Sequence, residues 1–171
     1  MTEIIYLDVF EGGFLGKIGL AVSPDGLLRL RMFVKGEKDF LNLNEAYQEG
    51  EYVFDPKMAH PYRVQIAEYL KKEREIFSVS IDWRGYTPFQ EAVLKETLTI
   101  PYGKTHSYGQ VAAAIGKPKA SRAVGQAEKR NEVPLVIPCH RVIGSDGSMT
   151  GYGGSENTDL KSRLIAFEKR V

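Results

Sequence analysis

The stretch most capable of chemistry is Cys139-His140-Arg141, which holds the single cysteine of a 171-residue chain. A thiol attacks as its thiolate, and a neighbouring base or cation lowers its pKa from about 8.5 towards neutrality. His140 and Arg141 supply one group of each kind. Adjacent residues in an extended or helical segment do not face each other, so His140 is expected to reach the sulfur through a bridging water. The flanking runs Leu135-Val136-Ile137 and Val142-Ile143 are apolar and rich in Val and Ile. They read as buried strand or core-crossing segments that put Cys139 at the floor of a pocket. Composition alone leaves a plain alternative, a buried structural cysteine beside a hydrogen-bonded histidine.

Three helices are expected to position this stretch. Thr87-Pro88-Phe89-Gln90 is a capping box with proline at the first helical position, opening a helix to about Leu98 with Phe89, Val93 and Leu94 inward. Ser107 caps a second helix, Tyr108 to Ile115, which stops at Gly116-Lys117-Pro118. A third runs from about Lys119 to Arg130. The last two, joined by a tight glycine-containing turn, read as a helix-turn-helix. On the third helix small residues (Ala120, Ala123, Ala127) accompany basic ones (Lys119, Arg122, Lys129, Arg130). That pattern lets a helix backbone approach a phosphate backbone while positive charge meets it. An Ala-rich helix packed on a neighbour, with a solvated basic face, would look the same.

The first half reads differently. Ile4 to Phe10, Lys17 to Ser23 and Gly26 to Phe33 are expected strands, with Leu28, Leu30 and Met32 alternating against Arg29, Arg31 and Phe33. Residues 35–58 read as loop with a possible short helix. Pro61 is expected to open a helix to about Glu75 with Val64, Ile66, Ala67 and Leu70 towards the core, and Phe77 to Trp83 a further strand. His60 is expected at the surface. Asp82 to Tyr86 marks a boundary, giving domains 1–83 and 84–171.

Charge follows that boundary. Residues 1–83 carry 10 Lys/Arg against 14 Asp/Glu and residues 84–171 carry 13 against 8, so a net +1 divides into −4 and +5. No apolar run reaches the roughly 18 residues of a membrane span, and no basic-then-apolar leader opens the chain, so a cytoplasmic protein is expected. One cysteine and three histidines make a cysteine-based zinc site improbable.

Four separated motifs then combine: Ser121-Arg122-Ala123-Val124-Gly125, Asn131, Ile137-Pro138-Cys139-His140-Arg141-Val142, and Gly151-Tyr152-Gly153-Gly154. In this order and spacing they resemble the O6-alkylguanine-DNA alkyltransferase family, over roughly Thr87 to Glu168. The resemblance implies a mixed α/β or α+β chain, with a small ribonuclease-H-like amino-terminal domain of supporting role and a mostly helical carboxy-terminal domain carrying a DNA-binding helix-turn-helix. It implies direct-reversal DNA repair: one irreversible transfer of an alkyl group from guanine O6 to the protein's own cysteine, after the nucleotide is flipped out.

The resemblance also distributes roles. Cys139 is the nucleophile, His140 the water-mediated base, and Glu168 the carboxylate that orients it. Asn131 ties the recognition helix to the cysteine segment, and Tyr108 assists proton transfer to guanine N3 and contacts the flipped nucleotide's phosphate. Arg122 fills the gap left in the duplex, with Lys119, Ala120, Ser121 and Gly125 against the DNA. Pro134, Val142, Tyr152, Gly153 and Gly154 surround the guanine, and Arg141 secures the pocket through a salt bridge. The implied partner is double-stranded DNA containing O6-alkylguanine, met through the minor groove by a monomer, with no cofactor and no metal.

Three positions depart from the family pattern. Gly153 stands where many members have serine, Glu132 replaces the proline usual after Asn131, and the loop from Tyr152 to Lys161 is slightly long. Two other classes share some of these features. A lesion-binding protein of the same fold would lack the cysteine, and a cysteine hydrolase would share Cys139-His140 but have no use for the Arg122 helix.

Overall fold

The computed structural model describes residues 2–46, 50–149 and 158–169. The chain divides into two compact units, Met1–Arg84 and Gly85–Val171. The fold is mixed α/β.

In the first unit β1 (Ile4–Glu11), β2 (Lys17–Ser23), β3 (Gly26–Arg31) and β4 (Glu51–Phe54) form one sheet in the order β3-β2-β1-β4. β2 pairs antiparallel with both neighbours, and β4 runs parallel to β1. Helices α1 (Glu37–Glu45) and α2 (Pro56–Leu70) complete the unit. Phe40 of α1 packs over Gly19 of β2, where any Cβ would lie 2.6 Å from the ring, so glycine is what lets this helix close on the sheet. Around it gather Ile5, Leu7, Ala21, Leu28 and Val34. Among the described residues no helix is long and apolar enough to cross a membrane.

Several expectations for this unit are corrected. Residues 35–58, expected as loop with a possible short helix, contain α1 and in addition β4, an edge strand of four residues too short to show a period. Arg29, expected on a solvated face, is buried, and its Nη1 donates to Asn44 Oδ1 (2.6 Å), whose Nδ2 donates in turn to Phe40 O (2.7 Å). β3 stops at Arg31, and Phe33 takes φ 58° and lies exposed. α2 begins at Pro56 rather than Pro61, because Asp55 provides the N-cap by accepting from Lys57 N (3.0 Å) and Pro56 takes the first helical position. Pro61 lies inside the helix at the loss of one hydrogen bond. The helix stops at Leu70, with Lys72 at φ 63°. Tyr69 is the large residue it buries, while Val64 is exposed and Leu70 and Ala67 are half-buried. Phe77 to Trp83 forms no strand, only a single bridge from Ile81 to Leu27. His60 is exposed.

The second unit contains α3 (Pro88–Thr97), β5 (His106–Ser107), α4 (Tyr108–Ala114), α5 (Ser121–Lys129), β6 (Val142–Ile143) and α6 (Thr158–Lys169). Thr87/Gln90 and Ser107/Gln110 form complete capping boxes on α3 and α4. Val93, Ile100, Val111, Ala112, Val124, Ala127 and Val142 build its core, with Phe89 and Tyr108 packed against it. The Leu135 to Ile143 region is not a long strand. Residues 131–138 form a tight loop in which Leu135 adopts φ 73°, and Cys139–Arg141 is a single 3-10 turn leading into β6.

Candidate active site

A buried carboxylate organises the site. Glu168, in the last turn of α6, accepts from four donors: His140 Nε2 to Oε1 (2.6 Å), Arg141 Nε to Oε2 (2.9 Å), Arg141 Nη2 to Oε1 (3.0 Å) and Gly103 N to Oε2 (3.1 Å). Arg141 grips it with a two-pronged fork, the strongest geometry available to this pair. Nη1 of Arg141 donates to Ile100 O (2.6 Å), and the guanidinium lies 5.7 Å from the Tyr102 ring centroid. Burial by itself would raise the Glu168 pKa, but the hydrogen bonds from His140 and then Arg141 more than reverse this and hold it at about 2. For fully buried His140, burial dominates and lowers the pKa, leaving a neutral ring. A neutral imidazole next to an ionised carboxylate donates from Nε2, which makes Nδ1 the basic nitrogen.

Cys139, only 4% exposed, lies immediately before this pair. Its sulfur accepts from Asn131 Nδ2 (3.1 Å). The same amide donates to Ile137 O (2.9 Å), and Asn131 Oδ1 accepts from Val133 N (3.0 Å). One side chain thus fixes both ends of the 131–138 loop and the sulfur. Tyr86 bonds the same loop, its hydroxyl accepting from Glu132 N (2.9 Å). Burial, and next the Glu128 carboxyl, push the thiol up to about 12, against the Asn131 hydrogen bond and the charge of Lys161. The resting thiol is therefore neutral.

The helices carry a second feature. A cleft of about 470 Å³ runs along α4 and α5, lined by Tyr108, Ser121, Arg122, Gly125 and Lys129 and closed by Gly144 to Ser148. Cys139 is not among its lining residues. Gly125 allows the Tyr108 ring to lie against α5, a Cβ there meeting it at 3.7 Å. Arg122 and Lys119 are exposed, while Val124, Ala127 and Glu128 form the buried face of α5. Of the expected pocket residues, Pro134 is buried and Val142 sits wholly within the core rather than on the cleft. Tyr152, Gly153 and Gly154 lie outside the described residues.

Two site residues escaped the sequence reading. Lys161, 2% exposed, donates from Nζ to Tyr108 Oη (3.2 Å). Glu128, 6% exposed, accepts from Thr97 Oγ1 (2.5 Å), and burial raises it to about 8 against that hydrogen bond and the Lys161 charge. Spacing could have found the first: Lys161, Leu164, Ile165 and Glu168 fall at i, i+3, i+4 and i+7, so a lysine shares the buried stripe of α6.

The network makes stability acid-sensitive in a defined window. Glu168 at about 2, against an ordinary 4.5, binds its proton more readily in the unfolded chain, so the stability it confers is complete above about pH 4.5 and is lost as pH falls towards 2. Neutral His140 acts in the same direction from below its ordinary 6.5. Urea unfolding of the wild type and Glu168→Gln should show a gap that is wide near pH 6 and shrinks by about 2 kcal/mol by about pH 3. A gap independent of pH would contradict an ionised Glu168.

Residues 88–170 match the family model for the 6-O-methylguanine DNA methyltransferase DNA-binding domain. The chain is 41% identical over 155 residues to the constitutive methylated-DNA–protein-cysteine methyltransferase of Bacillus subtilis, covering 91% of this chain and 90% of the relative. It is 50% identical over 157 residues to the methylated-DNA–protein-cysteine methyltransferase of Mycobacterium tuberculosis, covering 91% and 87%. The crystal structure of Mycobacterium tuberculosis OGT in complex with DNA superposes with a TM-score of 0.78 at 36% identity, covering 97% of this chain and 92% of that one. Similarity at this identity, over nearly the full length of both chains, shows that the chain belongs to the methylated-DNA–protein-cysteine methyltransferase family.

Proposed function

We propose that this protein repairs alkylated duplex DNA by moving the alkyl group of O6-alkylguanine onto Cys139, once per molecule. The observation that carries the reading is the buried Cys139 sulfur, held by Asn131 and followed directly by a histidine locked to Glu168, in a chain of this family. The cytoplasm, where DNA is accessible, is the expected compartment. The amino-terminal unit supports the second unit, in which α4 and α5 act as a helix-turn-helix.

In duplex DNA guanine O6 is paired and stacked, beyond reach of a thiol at the base of a pocket. The monomer therefore approaches the minor groove with α5, and Arg122 takes the place of the extruded nucleotide. Lys119, Ala120, Ser121 and Gly125 lie against the backbone around it. Sγ of Cys139 then attacks the alkyl carbon in line with the C–O6 bond. As the S–C bond forms and the C–O6 bond breaks, the thiol proton passes through water to Nδ1 of His140, and Glu168 stabilises the imidazolium. Tyr108, bonded to Lys161, delivers a proton to N3 of the departing guanine, and the imidazolium proton then passes through water to the phenolate, leaving both side chains neutral. The products are guanine in DNA and a thioether on the protein, a bond that no ordinary thiol exchange reverses. A thiol at about 12 stays protonated until substrate is seated, which keeps the resting protein from reacting indiscriminately.

The test is the stoichiometry of guanine restoration in a duplex carrying one O6-methylguanine. Product should plateau at one equivalent of protein and be absent with Cys139→Ala. Continued turnover would contradict the reading. Lesion-selective binding without any restored guanine would leave a recognition protein instead.

A further inference from the structure

We propose that Glu128 is a positioning residue of the Cys139 pocket, a buried carboxyl that competes with the cysteine sulfur for the positive charge of Lys161. The inference rests on the alkyl-transfer reading above and adds a group that reading does not use.

Among the described residues the charges inside the site do not pair off completely. Two basic side chains are buried there, Arg141 and Lys161, and the two-pronged bond to Glu168 balances the first. Among the described residues the hydrogen-bonded partner of Lys161 is the neutral hydroxyl of Tyr108. Two acids are close enough to feel its charge, Glu128 and Cys139. A buried cation can compensate one anion at little cost, whereas a second brings like-charge repulsion in a poorly hydrated space.

Position links the two acids. Glu128 lies on the buried face of α5, and its backbone carbonyl accepts from Asn131 N (3.2 Å), the residue whose side chain donates to the sulfur. From α3, Thr97 Oγ1 fixes Oε1, and among the described residues Oε2 has no hydrogen-bond partner. The charge of Lys161, from α6, acts on this carboxyl, and the carboxyl in turn acts on Cys139 of the 3-10 turn, which neutral His140 follows in the chain. A carboxyl with one orphaned, buried oxygen is stable as the neutral acid. In that form it leaves the Lys161 charge to a forming thiolate. Once ionised, above about pH 8, it takes the charge for itself and makes the thiol harder to deprotonate.

The sign is therefore fixed. Rising pH favours thiolate everywhere, but in this protein the gain should be blunted as Glu128 ionises. Glu128→Gln keeps an acceptor for Thr97 and cannot ionise. The ratio of its rate to the wild-type rate should climb on the order of tenfold between about pH 6.5 and about pH 9. A role in packing alone would leave that ratio flat.

Two reactions of Cys139 are to be followed across this range by protein mass: methyl transfer from an O6-methylguanine duplex, and alkylation by iodoacetamide, which reports the sulfur without DNA. A rising ratio in the iodoacetamide series supports the proposal even if the wild type transfers no methyl group, an outcome that would sink only the repair reading. A flat ratio there overturns the proposal whether or not methyl transfer occurs. Thr97→Val provides a second arm should Glu128→Gln fail to fold. Loss of the hydroxyl donor makes Glu128 harder to ionise, so the blunting must move to higher pH, and an unmoved profile also overturns the proposal.

Discussion

Glu168→Gln is expected to slow methyl transfer about a hundredfold to a thousandfold, within the range that general-base assistance supplies. The substitution preserves shape and removes charge. In the wild type Oε1 and Oε2 together accept four hydrogen bonds, two of them from Arg141, and the carboxylate fixes which nitrogen of His140 carries the proton. A glutamine has one acceptor oxygen and an amide that donates, so the imidazole loses both its fixed tautomer and the anion that stabilises its protonated form. Arg141 is left as a buried charge without a counter-ion, which costs about 3 kcal/mol or more. Stability must therefore be measured beside rate. Affinity for unmodified duplex should hold, because the basic residues of α5 are untouched. A variant that transfers methyl at the wild-type rate would remove Glu168 and, with it, His140 from the chemistry.

Arg122→Ala should be slower by about a hundredfold on duplex substrate, the rate equivalent of the few kcal/mol that extrusion of a nucleotide costs. Arg122 is exposed in the first turn of α5 and lines, with Tyr108, a cleft whose lining does not include Cys139, while the Cys139 sulfur is held by Asn131. Its effect should accordingly vanish with a free alkylated base such as O6-benzylguanine, which needs no flipping. An equal loss with the free base would show that Arg122 serves the pocket rather than the duplex.

The residues that could be read from sequence are those whose signal is local. Thr87/Gln90 and Ser107/Gln110 announce α3 and α4 because a capping box is complete within four residues. The cysteine segment was recognisable from its motif, yet its conformation was not. A run of Val and Ile suggests a strand, whereas a loop cinched by Asn131 and a positive φ at Leu135 take its place. These depend on bonds from Asn131 to residues two, six and eight positions on, which periodicity does not encode. Arg29 was placed on the wrong side of β3 because alternation assumes one wet face, and α1 covers the other through Asn44. Pro61 looked like a helix start only because the stronger signal, Asp55-Pro56, lay in a stretch with weak periodicity. Glu128 and Lys161 were passed over for a related reason. A charged residue in an amphipathic helix is assigned by default to the solvated face, and only tertiary packing reveals that these two are inside.

The central claim is that Cys139 itself receives the alkyl group. Intact protein mass after incubation with a duplex bearing one O6-methylguanine tests it most directly, with undamaged duplex and Cys139→Ala as controls. The expected result is a gain of one methylene on the wild type alone, at one equivalent per protein and mapped to the peptide containing Cys139. An unchanged mass while the methyl group leaves the DNA, or a gain mapped to another residue, would contradict it.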